Sequence, residues 1–211
     1  MPRAKTGQMI TVLVAMIPLL GLVLGLLTDR LGAEPVETIT HETGEWALRI
    51  LILTLLITPL RQFFGWNALA PYRRTLGLLC FFYAALHFAT FLTFDLSWRI
   101  DDLLKEIRER PYITVGFFSF MILCALAITS TRGWIKRLGR SWLRLHRLVY
   151  LALVLAVIHF LWLVKVDRLE PLVYAAIASA LLAWRLPLLF GRRPLTYATL
   201  RRPGEKAQKS A

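Results

Sequence analysis

Six apolar blocks separated by short polar stretches organise this chain, at about 9–27, 46–63, 75–94, 112–130, 145–164 and 171–190. None alternates with the period of a strand, and none carries the polar face of a soluble amphipathic helix. Each is close to the roughly 20 residues that an α-helix needs to cross a bilayer core. The pattern predicts an all-α integral membrane protein of six transmembrane helices. Pro18 and the Thr58-Pro59 pair interrupt the first two blocks, which a membrane helix tolerates when a neighbour satisfies the freed carbonyl. Pro111 and Pro171 sit near the starts of the fourth and sixth helices, where a missing N–H costs little.

One polar stretch has a period of its own. Within 95–111, Leu103, Leu104 and Ile107 recur at helical spacing among charges, which predicts a short amphipathic helix on the membrane surface or in a docking face. The first block follows Arg3 and Lys5. At that length it reads as a transmembrane helix and not as the shorter apolar core of a signal peptide.

Charge then orients the helices. The chain of 211 residues has 26 basic and 13 acidic residues, a net charge of +13. With the N-terminus inside, the cytoplasmic segments hold Arg3, Lys5, Arg61, Arg73, Arg74, Arg132, Lys136, Arg137, Arg140, Arg144 and Arg147. The end of the chain adds Arg185, Arg192, Arg193, Arg201, Arg202, Lys206 and Lys209, against the single acid Glu205. The other acids, from Asp29 to Glu170, fall in the outside segments. This asymmetry predicts both termini inside, a membrane domain over 1–190 and a basic cytoplasmic tail over 191–211. The basic residues are spread between apolar blocks, which fits topology and anionic lipid and not nucleic acid.

The chemistry rests on histidines. His87, His146 and His159 lie inside apolar blocks, where ionisable residues are costly and are functional candidates by default. At about 1.5 Å per residue, His87 and His159 fall at similar depths on the third and fifth helices. Two imidazoles at one level could supply both axial ligands of a haem iron, could bind another metal, or could simply pack. Haem fits best: it needs two ligands and an apolar pocket, whereas zinc would want four ligands or an open water site. His146 sits 13 residues before His159, roughly 20 Å away along the helix axis. The third helix has no second histidine to pair with it, so a second haem would need a weaker ligand. His41 reads as an exposed loop residue, and Cys80 and Cys124 as buried small hydrophobes. No Cys-x-x-Cys-His occurs, which excludes covalent haem attachment of the c type. Arg73 and Arg74, before the third helix, could meet haem propionates, a flavin phosphate or a quinone carbonyl, or could only anchor the helix. No internal repeat, glycine-rich nucleotide loop or nucleophile elbow stands out.

Ala-Leu-His87-Phe, Arg-Leu-His146-Arg-Leu-Val-Tyr-Leu and Val-Ile-His159-Phe-Leu-Trp resemble the ferric-reductase-like transmembrane family. Thr-Gly44-Glu-Trp-Ala-Leu, Leu-Leu-Ile-Thr58-Pro-Leu-Arg61, Arg-Arg74-Thr-Leu-Gly-Leu and Arg110-Pro-Tyr-Ile-Thr-Val-Gly116 narrow the likeness. They resemble the haem-binding membrane subunits of bacterial periplasmic methionine sulfoxide reductase systems. The resemblance implies haem b, one or two, with His87, His146 and His159 as iron ligands, and an associated flavin mononucleotide (FMN). It implies a multi-pass protein of the bacterial inner membrane that is an electron-transfer subunit and not itself the enzyme. Electrons would pass from the quinone pool, or a separate flavin donor, to a periplasmic molybdopterin reductase of the MsrP type. A small transporter and a structural subunit without haem are the alternatives, but transporters usually show repeats or broken helices at the midplane.

Overall fold

A computed structural model describes residues 2–165 and 168–189, and among these it is helical with no strand. The helices are α1 (Pro2–Leu27), α2 (Pro35–Phe64), α3 (Tyr72–Thr90), α4 (Ile100–Glu109), α5 (Pro111–Ile128), α6 (Arg132–Leu138), α7 (Arg140–His146), α8 (Val149–Leu163) and α9 (Leu169–Leu189). A short 3₁₀ turn precedes α3, and a π-turn over Phe91–Asp95 prolongs it. Among the described residues, five stretches are long and apolar enough to cross a membrane: Lys5–Leu27, Pro35–Phe64, Tyr72–Asp95, Pro111–Ile128 and Arg140–Leu163. The protein is a multi-pass membrane protein. The basic tail expected over 191–211, and the last residue of the sixth block, lie outside the described residues.

Two antiparallel pairs, α2 with α3 and α5 with α8, make the most extensive helix packing, and α2 and α3 each also touch the other pair. Small residues let the paired backbones approach: Ala47, Cys80, Ser119 and Ala152 are all buried. The Ser119 hydroxyl donates to the Ala152 carbonyl at 2.9 Å, tying α5 to α8. Leu48, Leu51, Leu55, Leu123 and Leu153 belong to one core shared by the pairs. By contrast α1 is peripheral. Met9, Leu13, Ile17, Leu20 and Leu24 are exposed, as expected of a helix turned toward lipid. It is held against α3 by the fully buried Tyr83, whose hydroxyl donates to the Ala15 carbonyl at 2.5 Å.

Pro59 passes through α2 without ending it, and the reason is visible. A proline has no N–H for the carbonyl four residues back, here that of Leu55. The Arg185 guanidinium of α9 donates to that carbonyl at 2.9 Å and also to the Tyr150 hydroxyl. Arg185 is only 6% exposed. The sequence places it with the basic residues of the cytoplasmic end, but it is a buried crosslink between α2, α8 and α9.

Three other expectations need correction. The second helix begins at Pro35 and not near residue 46, because Pro35 at the first helical position opens an extra three turns. His41 is therefore a helical residue and not part of a loop. One turn past Glu45 of that extension, Arg49 bonds Glu45 at 2.5 Å, Glu170 at 3.3 Å and the Tyr174 hydroxyl at 2.7 Å, so the Glu45 carboxylate is paired. Finally, the fifth block is two helices: α7 ends at His146 and α8 starts at Val149. A two-residue turn separates His146 from the helix of His159 within the one span Arg140–Leu163. The expected surface helix is present as α4, with Ile107 accepting a hydrogen bond from the Thr114 hydroxyl of α5.

Candidate functional site

His87 comes from the last turn of α3 and His159 from the last turns of α8. The fold brings them opposite one another, edge to face. Their ring centroids are 6.1 Å apart and their planes are inclined at 75°. Both line a cavity of about 510 Å³ between the two helix pairs. That volume lies within the roughly 300–1,000 Å³ usual for cofactor pockets. The middle of the cavity is apolar, lined by Leu51, Ala84, Phe88, Phe117, Phe120 and Leu123. Its end near α4 is polar, with Glu34, Glu37, His41, Asp95 and Arg110.

Each imidazole is oriented by a backbone carbonyl. His87 Nδ1 donates to the Thr40 carbonyl at 2.8 Å, and His159 Nδ1 donates to the Tyr112 carbonyl at 2.7 Å. A carbonyl can only accept, so in both rings the proton sits on Nδ1 and the lone pair on Nε2. Among the described residues neither Nε2 has a hydrogen-bond partner. This is the arrangement of a metal-ligating histidine, whose second nitrogen is fixed by an acceptor that holds the tautomer and raises the basicity of the first. A metal–imidazole bond is roughly 2 Å long, so two rings about 6 Å apart leave room for one metal atom between them. Among the described residues no group of three or more His, Cys, Asp or Glu side chains could hold a metal ion. The donor set therefore suits a group that brings its own equatorial ligands, as haem does.

The two half-sites repeat. In both, 47 residues separate the carbonyl from the histidine. In both, a glycine stands one helical turn beyond the carbonyl, Gly44 on α2 and Gly116 on α5. The same offset of 72 residues relates 40 to 112, 44 to 116 and 87 to 159, and it relates Ala-Ala-Leu-His87-Phe to Ala-Val-Ile-His159-Phe. The chain does carry an internal repeat. Only a few positions per helix are alike, and the tertiary pairing is what makes it legible.

His146 lies apart from this cavity. Its ring stacks on Trp142, with centroids 4.0 Å apart, and its Nε2 is 3.2 Å from the Thr129 hydroxyl oxygen. That hydroxyl spends its proton on the Ala125 carbonyl at 2.6 Å, so His146 Nε2 is the donor to it. Arg73 and Arg74 are exposed in the first turn of α3 and do not line the cavity. Among the described residues that do are the Arg110 guanidinium and the His41 imidazole. His41 reads as a loop residue from sequence because the charges around it hide the first turns of α2.

Residues 43–157 match the family described as "Ferric reductase like transmembrane component". They span more than half of the chain and contain His87 and His146, and the chain belongs to this family. It is similar, at 54% identity over 159 residues, to the "Protein-methionine-sulfoxide reductase heme-binding subunit MsrQ" of Xanthomonas axonopodis pv. citri (strain 306). That alignment covers 75% of this chain and 73% of the relative. A protein of the same name from Herminiimonas arsenicoxydans is 48% identical over 188 residues, covering 88% of this chain and 86% of the relative.

Proposed function

We propose that this chain is the haem-binding membrane subunit of a methionine sulfoxide reductase system, with one haem b between His87 and His159. The observation that carries the reading is the facing pair of imidazoles, each with its Nδ1 proton committed to a carbonyl and its Nε2 lone pair turned to the cavity. The relatives' shared name supports the same cofactor and the same system. Haem supplies a reversible one-electron change between ferric and ferrous iron. The protein's own part is to present two neutral imidazoles, to keep water from them with Phe88, Phe117 and Phe120, and to offer His41 and Arg110 at the polar end, where propionates would emerge.

In this reading the chain crosses the bacterial inner membrane six times, α9 being the sixth span, with both termini in the cytoplasm. The cavity's polar end and α4 then face the periplasm, where a molybdopterin reductase of the MsrP type accepts electrons and repairs oxidised methionine. Electrons enter on the basic cytoplasmic side, from the quinone pool or from FMN. The exposed Arg73 and Arg74 suit a quinone carbonyl or a flavin phosphate there.

The test is optical. The purified protein should give a reduced-minus-oxidised b-type haem spectrum, and His87→Ala and His159→Ala should each abolish the same component. Full haem in either variant would remove that residue as a ligand. Dithionite-reduced protein, kept strictly anaerobic, should be reoxidised only when both the periplasmic reductase and a sulfoxide substrate are added. Reoxidation without the reductase would refute the partner.

A further inference from the structure

We propose that Gly44 and Gly116 are positioning residues that set the planes of the two axial imidazoles, and through them the electronic character of the haem. The proposal rests on the reading of His87 and His159 as ligands.

The geometry is close contact of ring on backbone. A Cβ at Gly44 would stand 3.0 Å from His87 Nδ1, 3.1 Å from Cε1 and 3.6 Å from Cγ. At Gly116 it would stand 2.7 Å from His159 Nδ1, 2.9 Å from Cε1 and 3.0 Å from Cγ. Three ring atoms lie near each point, so each imidazole rests on the glycine and not merely beside it. The Nδ1 proton points one turn back along the same helix, to the carbonyl of Thr40 or Tyr112. Carbonyl and glycine together fix the ring: one sets the direction of Nδ1, the other bars rotation and lets the ring come close enough to bond. Any side chain at the glycine would push the ring outward, lengthen the Nδ1 bond and turn the plane about the axis through Nε2. The two shelves hold the planes at 75° to one another.

That angle is measurable once iron is bound. A low-spin ferric haem with two imidazoles near perpendicular gives a strongly anisotropic electron paramagnetic resonance signal with one large g value. Rotation toward parallel planes brings the g values together into a resolved rhombic set. Glycines serving only helix packing would lower yield or thermal stability and leave the g values where they were.

The experiment compares wild type, Gly44→Ala, Gly116→Ala and Gly77→Ala in haem-replete membranes, with haem measured independently. Gly77 is the control, since a Cβ there would meet only Thr54 Cγ2, at 4.0 Å. Gly77→Ala should superimpose on wild type. Gly44→Ala should keep its haem with a shifted largest g value. Gly116→Ala, with the tighter contact, should shift further or lose low-spin haem. Wild-type g values in haem-replete Gly116→Ala would overturn the proposal. If that variant does not accumulate, wild-type g values in Gly44→Ala overturn it equally. A wild-type protein with no bis-imidazole low-spin signal would instead overturn the haem reading beneath it.

Discussion

Arg185 is the buried charge whose removal tests the helix packing most directly. Replacing it with Met keeps much of the volume but leaves the Leu55 carbonyl with neither the N–H that Pro59 lacks nor the guanidinium that replaces it. A buried acceptor left unsatisfied costs about 1–3 kcal/mol. The Tyr150 hydroxyl loses its partner too. Against this, the variant no longer buries a guanidinium, which in a membrane is worth ~2.5 kcal/mol or more. The single-variant change is therefore a small difference of larger quantities. A double-mutant cycle removes the ambiguity, because Pro59→Ala restores an N–H to the same carbonyl. Pro59→Ala should gain about 1–2 kcal/mol more in the Arg185→Met background than in wild type, where the carbonyl is already served. Reversible unfolding in mixed detergent would measure all four proteins. Effects that add to within about 0.5 kcal/mol would show that Arg185 and Pro59 do not share the Leu55 carbonyl.

Two further outcomes follow from the same contacts. His146→Ala should leave the spectral component of His87 and His159 intact, since His146 is engaged by Trp142 and Thr129 outside their cavity; loss of that component would place His146 in the same site. Reporter fusions within 100–109 and after residue 189 should lie on opposite sides of the membrane, and the same side for both would refute the six-span topology.

Much of this was legible in the sequence, and the rest was not for identifiable reasons. The apolar blocks gave α1, α3, α5 and α8 because lipid selects length and hydrophobicity, which are read directly. The same property placed His87 and His159 at one level before any packing was known. The first turns of α2 were hidden by their charges. Glu37, Glu42 and Glu45 look like a loop until Glu37 is seen to face His41, and Glu42 and Glu45 to face Arg49, itself held by Tyr174 and Glu170. The end of α7 at His146 has no Pro or Gly to announce it. Charge asymmetry misplaces Arg185 because it counts bases near helix ends without asking what each one touches. Gly44 and Gly116 sit in motifs that carried the family resemblance, but a glycine's use is a matter of what lies above it, and that is tertiary.

The repeat explains why the site is built from backbone. Inside a bilayer there is no water to take the Nδ1 proton of a neutral imidazole, and a carboxylate acceptor would bring a charge that lipid penalises. A helical carbonyl has a second lone pair and carries no net charge, so it is the least costly acceptor available. Reaching it requires the ring to approach a helix more closely than a side chain permits, hence a glycine one turn on. One helix pair bearing carbonyl, glycine and histidine supplies one of the two facing imidazoles, and a second copy supplies the other. The same 72-residue offset carries Arg74 onto His146, so away from the facing pair the two copies differ: one presents a guanidinium where the other presents an imidazole. On the proposed reading, the repeat is closest where both copies would serve one iron, and free to diverge where they need not.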